Sequence, residues 1–109
     1  MSTSPEPKYV QVTTAAGSEE EARRIARTAV EARLAACGQV LGPIASTYWW
    51  RGAVETEWLC LLKAPASRFE RLAAHIRAEH GYETPEITAT PISLGSADYL
   101  AWIDEEATG

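Results

Sequence analysis

Cys37, Cys60, His75 and His80 are the chain's only thiols and imidazoles, so any site for a soft or borderline metal ion must draw on them. Cys37 can ligate as a thiolate and His80 through its imidazole, with Glu79 beside it as an oxygen donor. Each also has a plain structural reading, Cys37 as a small buried hydrophobe and His80 as the polar end of an apolar helix stripe. His75 and Glu79 stand four apart, so a helix places them on one face, where they share a cation or simply meet solvent. His75 and His80 stand five apart, about 140° around a helix, and cannot both face one ion. A closed zinc site wants four ligands at a recognisable spacing, which this chain lacks. The metal expectation is therefore a depleted set, Cys37, His80 and Glu79, holding Cu(II) or another divalent cation weakly.

A second group has different chemistry. Lys63 at a strand end, with Trp50, Glu57, Tyr82 and Glu86, has the residue types to line a pocket between subunits. Such a pocket would take a small anion or an amphipathic ligand; the alternative is an ion pair in an aromatic frame. No nucleophile elbow, P-loop or GxGxxG is present, and no catalytic residue is assigned. The expectation is a protein that is not an enzyme.

These residues are positioned by elements that can be read from periodicity. Ser46-Thr-Tyr-Trp-Trp-Arg-Gly52 and Trp58-Leu-Cys-Leu-Leu-Lys63 form a β-hairpin, the first half rich in β-formers and the second a short apolar run bounded by charges. Alternation sends Tyr48 and Trp50 to one face and Trp49 to the other, and likewise separates Trp58, Cys60 and Leu62 from Leu59 and Leu61. A strand apolar on both sides needs cover on both sides.

Before the hairpin, Tyr9-Val-Gln-Val-Thr-Thr14 alternates as a first strand. Ser18 and Glu21 then form a capping box, with Glu19, Glu20 and Glu21 in the first helical turn. Ala22, Ile25, Ala26, Ala29, Val30 and Leu34 make the buried stripe of that helix, and Gly38 is expected to end the segment. Cys37 opens the second strand, and Gly42-Pro43 marks a bend or bulge in it. After the hairpin, Ser67 with Glu70 reads as a second capping box. The helix it opens carries Phe69, Leu72, Ala73, Ile76 and His80 on one face and has Gly81 as its C-cap. Glu86 to Ile92 is a fourth strand with Pro91 at an edge or end, and Ala97 to Glu105 a short last helix.

The order β-α-β-β-α-β with a terminal helix predicts an α+β, ferredoxin-like split βαβ fold. Right-handed crossovers put both long helices on one side of a four-stranded antiparallel sheet and leave the other side open. Each buried indole contributes on the order of 150–250 Å², so hairpin indoles left on the open side imply a homo-oligomer packed through the sheet.

At 109 residues the chain fits one domain over 8–109, with Met1 to Pro7 as a polar, proline-broken, disordered tail. That start has neither a basic segment nor an apolar one, so it is not a secretory signal and a cytoplasmic location is expected. Hydrophobic residues at 46% and charged ones at 23% suit a globular protein, and no stretch approaches the roughly 20 apolar residues that span a membrane. A net charge of −5 removes the basic footprint of a nucleic-acid binder. Two cysteines without a CxxC read as free thiols.

Five segments in order, Glu31-Ala-Arg-Leu-Ala-Ala-Cys37, Ser46-Thr-Tyr-Trp-Trp-Arg-Gly52, Leu62-Lys63, His80-Gly-Tyr-Glu-Thr-Pro-Glu86 and Asp98-Tyr-Leu-Ala-Trp102, resemble the successive motifs of the CutA divalent-cation tolerance family. The likeness runs from Tyr9 to Trp102. It implies a ferredoxin-like protomer, a heat-resistant homotrimer joined by sheet pairing, a link to copper and other divalent-metal tolerance, and clefts between subunits. Against that pattern the turn between Trp50 and Glu57 is about two residues short, Thr13 replaces a Cys found in some members, and Glu79 replaces a second His. Both replacements exchange a soft or borderline ligand for oxygen, so a dissociation constant for copper in the micromolar range or above is expected. The PII signalling proteins share this topology and trimeric state, so a ligand-sensing module is the alternative function.

Overall fold

A computed structural model describes residues 6–49 and 54–108, with the side chain of residue 54 outside the description. Eight elements follow in order: β1 (Tyr9–Ala16), α1 (Glu19–Glu31), β2 (Cys37–Thr47), β3 (Val54–Pro65), a 3-10 turn (Ala66–Arg68), α2 (Phe69–Glu79), β4 (Thr88–Pro91) and α3 (Ala97–Glu106). The strands make one antiparallel sheet in the order β2-β3-β1-β4, the arrangement expected of a split βαβ chain. Most of the expected tail, and Trp50, lie outside the described residues.

Side-chain alternation along the sheet explains the core. Val10, Val12 and Ala16 of β1 and Cys60, Leu62 and Ala64 of β3 face one way, and the apolar stripes of α1 (Ala22, Ile25, Ala26, Ala29) and α2 (Leu72, Ile76) close over them. The close approach of α1 to β2 requires a glycine. A Cβ on Gly38 would stand 2.9 Å from the Ala26 Cβ and 3.0 Å from Leu62 Cδ2. Gly38 therefore belongs to β2 and does not end the preceding segment; that role falls to Arg33, which turns the chain with a φ of 61°.

The opposite face is not fully open, as the sequence led us to expect. Ile103 and Ala107 of the last helical segment pack with Tyr9, Ala36, Ile92 and Leu100, covering the end of the sheet where β1 begins. Side-chain hydrogen bonds from Tyr9, Arg33 and Arg68 secure this segment. The Tyr9 hydroxyl donates to Asp104 Oδ2 at 2.5 Å, and Arg33 Nη1 donates to Glu106 Oε2 at 2.7 Å. Beyond that cover Trp49 is 98% exposed and Leu41 57% exposed.

Ser18 caps α1 through its Oγ, which accepts from the Glu21 amide at 3.1 Å. Ser67 does not cap α2. It lies inside the 3-10 turn, whose helical backbone denies it the extended conformation that a capping side chain needs, and α2 begins at Phe69 with no side-chain cap. The bend at Gly42-Pro43 appears as a register shift of the β2–β3 ladder between Leu41 and Ile44. β4 is a shorter strand than expected, lies at the sheet edge and ends at Pro91, which has no N–H to give to a further ladder.

Candidate functional site

At the end of the sheet where β1 finishes, the chain leaving α2 folds back across β1 and β3. A cleft of about 640 Å³ forms there, lined by Ala15, Ser46, Tyr48, Glu57, Gly81, Tyr82, Glu83, Thr84 and Glu86. Its floor is strand. Glu57 shares the face of Leu59, Leu61 and Lys63 by alternation, yet it is only 5% exposed. The Tyr82 hydroxyl donates to its Oε2 at 2.9 Å, the hydrogen bond that a buried carboxylate requires. Among the described residues no second partner is bonded to this carboxylate.

The returning segment is pinned at three points. His80 leaves α2 with an extended backbone, and its Nε2 lies 2.9 Å from the Ala15 carbonyl, so this nitrogen carries the proton and donates. The other ring nitrogen, Nδ1, accepts from the Tyr82 amide at 3.1 Å. Glu21 supplies the third point. Its Oε1 accepts from the Gly17 amide at 3.2 Å and its Oε2 from the Gly81 amide at 2.7 Å, so one carboxylate ties the β1–α1 loop to the α2–β4 loop. Gly81 was expected to be the C-cap of α2, a position that His80 takes. Gly81 serves instead as a close-approach residue, since a Cβ there would meet Glu21 Oε2 at 2.8 Å.

The electrostatics follow from this packing. Burial, then the hydrogen bond and charge of Glu57, hold the Tyr82 phenol far above the ordinary range for tyrosine. Tyr48 is raised by burial and then by Glu57 and Glu55. Three glutamates line the cleft, and no lysine or arginine does among the described residues.

The metal candidates do not converge within the protomer. Cys37 pairs with Lys63 across the β2–β3 ladder, whereas His80 bonds to Ala15, which pairs with Leu59. Four residues of strand, about 13 Å, separate those rungs. Cys37 lies instead against Tyr99, whose phenol is raised by burial and then by the Cys37 thiol. Glu79 is engaged by Arg24, whose Nε donates to Oε1 at 3.3 Å and whose Nη2 donates to the backbone carbonyl at 2.9 Å. His75 faces α1, with Nε2 2.8 Å from the Thr28 hydroxyl. No group of three or more His, Cys, Asp or Glu is placed to hold an ion among the described residues.

The cleft group divides in the same way. Within the protomer Glu57, Tyr82 and Glu86 line one cleft, while Lys63 lies six strand residues from Glu57, about 20 Å away, and donates to Gln39 Oε1. Sequence reasoning did not single out Tyr48, Glu83 or the positioning residue Glu21. Tyr48 could have been found from the alternation that places it with Ser46 on one strand face. Glu21 was hidden by its other role in the capping pattern.

Comparison with known proteins gives this geometry a family. The family model for the CutA1 divalent ion tolerance protein matches residues 10–106. The Divalent-cation tolerance protein CutA of Archaeoglobus fulgidus is 42% identical over 92 residues, 83% of this chain and 89% of that protein. The protein of the same name from Thermus thermophilus is 43% identical over 90 residues, 81% and 87% of the two chains. Among solved structures, CutA1 from Shewanella sp. SIB1 superposes with a TM-score of 0.90 at 31% identity, covering 96% of this chain and 100% of that one. The A. fulgidus structure, described as a periplasmic divalent cation tolerance protein, gives 0.86 at 38% identity, covering 92% and 99%. With the profile spanning nearly every element from β1 to α3, the chain belongs to the CutA1 divalent ion tolerance family.

Proposed function

We propose that this protein acts in divalent-cation tolerance, copper included, as a cytoplasmic homotrimer that catalyses no reaction. The observation that carries the reading is the match of residues 10–106 to the CutA1 divalent ion tolerance family. Relatives named for divalent-cation tolerance support it. Trimer formation is supported by Trp49, 98% exposed, and by Leu41 of β2, 57% exposed on the incompletely covered sheet. Two free thiols, Cys37 and Cys60, suit a reducing compartment.

Binding of the ion itself is weak in this proposal. His80 has both ring nitrogens engaged and Glu79 is held by Arg24, so an ion taking either must displace an existing bond. A set of Cys37, His80 and Glu79 is completed only across a subunit boundary. Calorimetric titration of the metal-free protein with Cu(II) and Zn(II) tests this, with a dissociation constant in the micromolar range or above and a larger loss for His80→Ala than for His75→Ala. Nanomolar Cu(II) affinity, or indifference to His80, overturns it. Light scattering that shows a stable monomer overturns the trimer.

One observation favours a second reading, a sensing module for a small ligand. The cleft is preformed, its loop wall held by Glu21, His80 and Tyr82, and its volume lies within the range of small-molecule sites.

A further inference from the structure

We infer that the cleft between β3 and the α2–β4 loop binds a small organic monocation, an ammonium group on an apolar body, with Glu57 as counter-ion and Tyr48 and Tyr82 beside it. The inference rests on the ligand-sensing reading of the same cleft and names the class of ligand.

The charge comes first. Glu57 is 5% exposed and lines the cleft, and Tyr82 bonds only one of its oxygens, so the other is left to face the cavity. A carboxylate so removed from water gains most from a donor that is itself charged, since such hydrogen bonds are roughly twice as strong as neutral ones. Glu83 and Glu86 at the rim add the same sign. An anion would meet three carboxylates.

The shape then separates an organic cation from a metal ion. A divalent metal needs several oxygens or nitrogens converging within about 2.0–2.6 Å of one point. Among the described residues no three acidic, imidazole or thiol groups converge in that way. The cavity of about 640 Å³ is far larger than an ion and has room for a body of several carbon atoms. Tyr48 and Tyr82 supply aromatic rings, whose faces attract ammonium groups. The Tyr82 phenol, held protonated by burial and by Glu57, stays a neutral donor to the carboxylate and does not compete for the cation.

Benzylammonium, benzyl alcohol and benzoate share one apolar body and differ in charge, which makes them the probes. Titration into the intact protein, followed by amide NMR shifts and calorimetry, is expected to give benzylammonium a dissociation constant of about 1 mM or tighter. Shifts should centre on Gly81 and Tyr82. Benzyl alcohol should bind about tenfold more weakly or not at all, and benzoate not at all. Glu57→Gln, whose amide oxygen still accepts from Tyr82, should weaken benzylammonium about tenfold or more. Glu86→Gln, at an exposed position on the cleft rim, should weaken it by about threefold. Glu19→Gln, on the far side of α1, should leave it unchanged.

Benzoate binding without benzylammonium binding would overturn the charge assignment while leaving the ligand-sensing reading in place. Equal affinity for the alcohol and the ammonium would show an apolar site and overturn it as well. Displacement of benzylammonium by micromolar Zn(II), lost in Glu57→Gln, would make the cleft a metal site. Failure of all three probes would remove the ligand-sensing reading together with the inference.

Discussion

Tyr82 reaches across from the α2–β4 loop to donate its hydroxyl to Oε2 of Glu57 on β3, 2.9 Å away. It passes over Gly17 on the way, where a Cβ would come within 3.2 Å of the phenol oxygen. One bond thus joins residues twenty-five apart in sequence and closes the end of the sheet. Tyr82→Phe removes the donor and leaves a nearly buried carboxylate without its partner. Loss of about 1–3 kcal/mol of stability is expected, measured by denaturant unfolding, with a smaller loss for Glu57→Gln. A neutral Tyr82→Phe would show that solvent already satisfies Glu57.

All four tyrosines, Tyr9, Tyr48, Tyr82 and Tyr99, are raised above their ordinary value, Tyr9 chiefly by its bond to Asp104 and the others chiefly by burial. Folding therefore favours the protonated phenols. Their contribution is whole below about pH 10, the unfolded value, and is lost as the pH rises beyond it. Phenolate absorbance of the native protein should lag behind that of the protein in denaturant, and stability should fall on the alkaline side. Coincident titration curves would contradict this.

The two cysteines differ in reactivity for a geometric reason. Cys60 faces the helices, 0% exposed, and burial pushes its thiol up to about 12. Cys37 is half-buried on the opposite sheet face, paired with Lys63. A thiol reagent should label Cys37 first and reach Cys60 only on unfolding, and intact mass without reductant should show no intramolecular disulfide. Labelling of both at one rate would place Cys60 nearer solvent than it is here.

Thr14 is 0% exposed, and its hydroxyl has no hydrogen-bond partner among the described residues. Thr14→Val replaces that hydroxyl with a methyl of similar shape and should raise stability by about 1 kcal/mol. The reverse holds at Gly38. There Gly38→Ala forces a Cβ against Ala26 and Leu62 and should cost about 1–3 kcal/mol, seen as a lower unfolding midpoint.

How much of this was legible beforehand depends on how local the cause was. The α1 stripe and the Ser18 cap follow from spacing within one helix, and the faces of β3 follow from alternation, so Cys60 and Leu62 were placed correctly. Lys63 and Glu57 were grouped by residue type for a pocket between subunits, and within one protomer six residues of extended strand separate them by about 20 Å. The pairing of Glu21 with Gly81 had no sequence signal, because its partner lies sixty residues away and its acidic type was accounted for by the helix start. Ser67 failed for the opposite reason. Its capping pattern is sound, but Pro65 feeds directly into a 3-10 turn that overrides it.

The shared carboxylate of Glu21 has a kinetic consequence. Because the same side chain accepts from the amides of Gly17 and Gly81, neither loop can open fully without loosening the hold on the other. The two amides should then exchange with solvent as one unit, at a common opening rate, while their sequence neighbours follow separate ones. Fraying of the first turn of α1 and opening of the cleft become a single fluctuation, so an occupant of the cleft would slow exchange at Gly17, on the far side of that carboxylate.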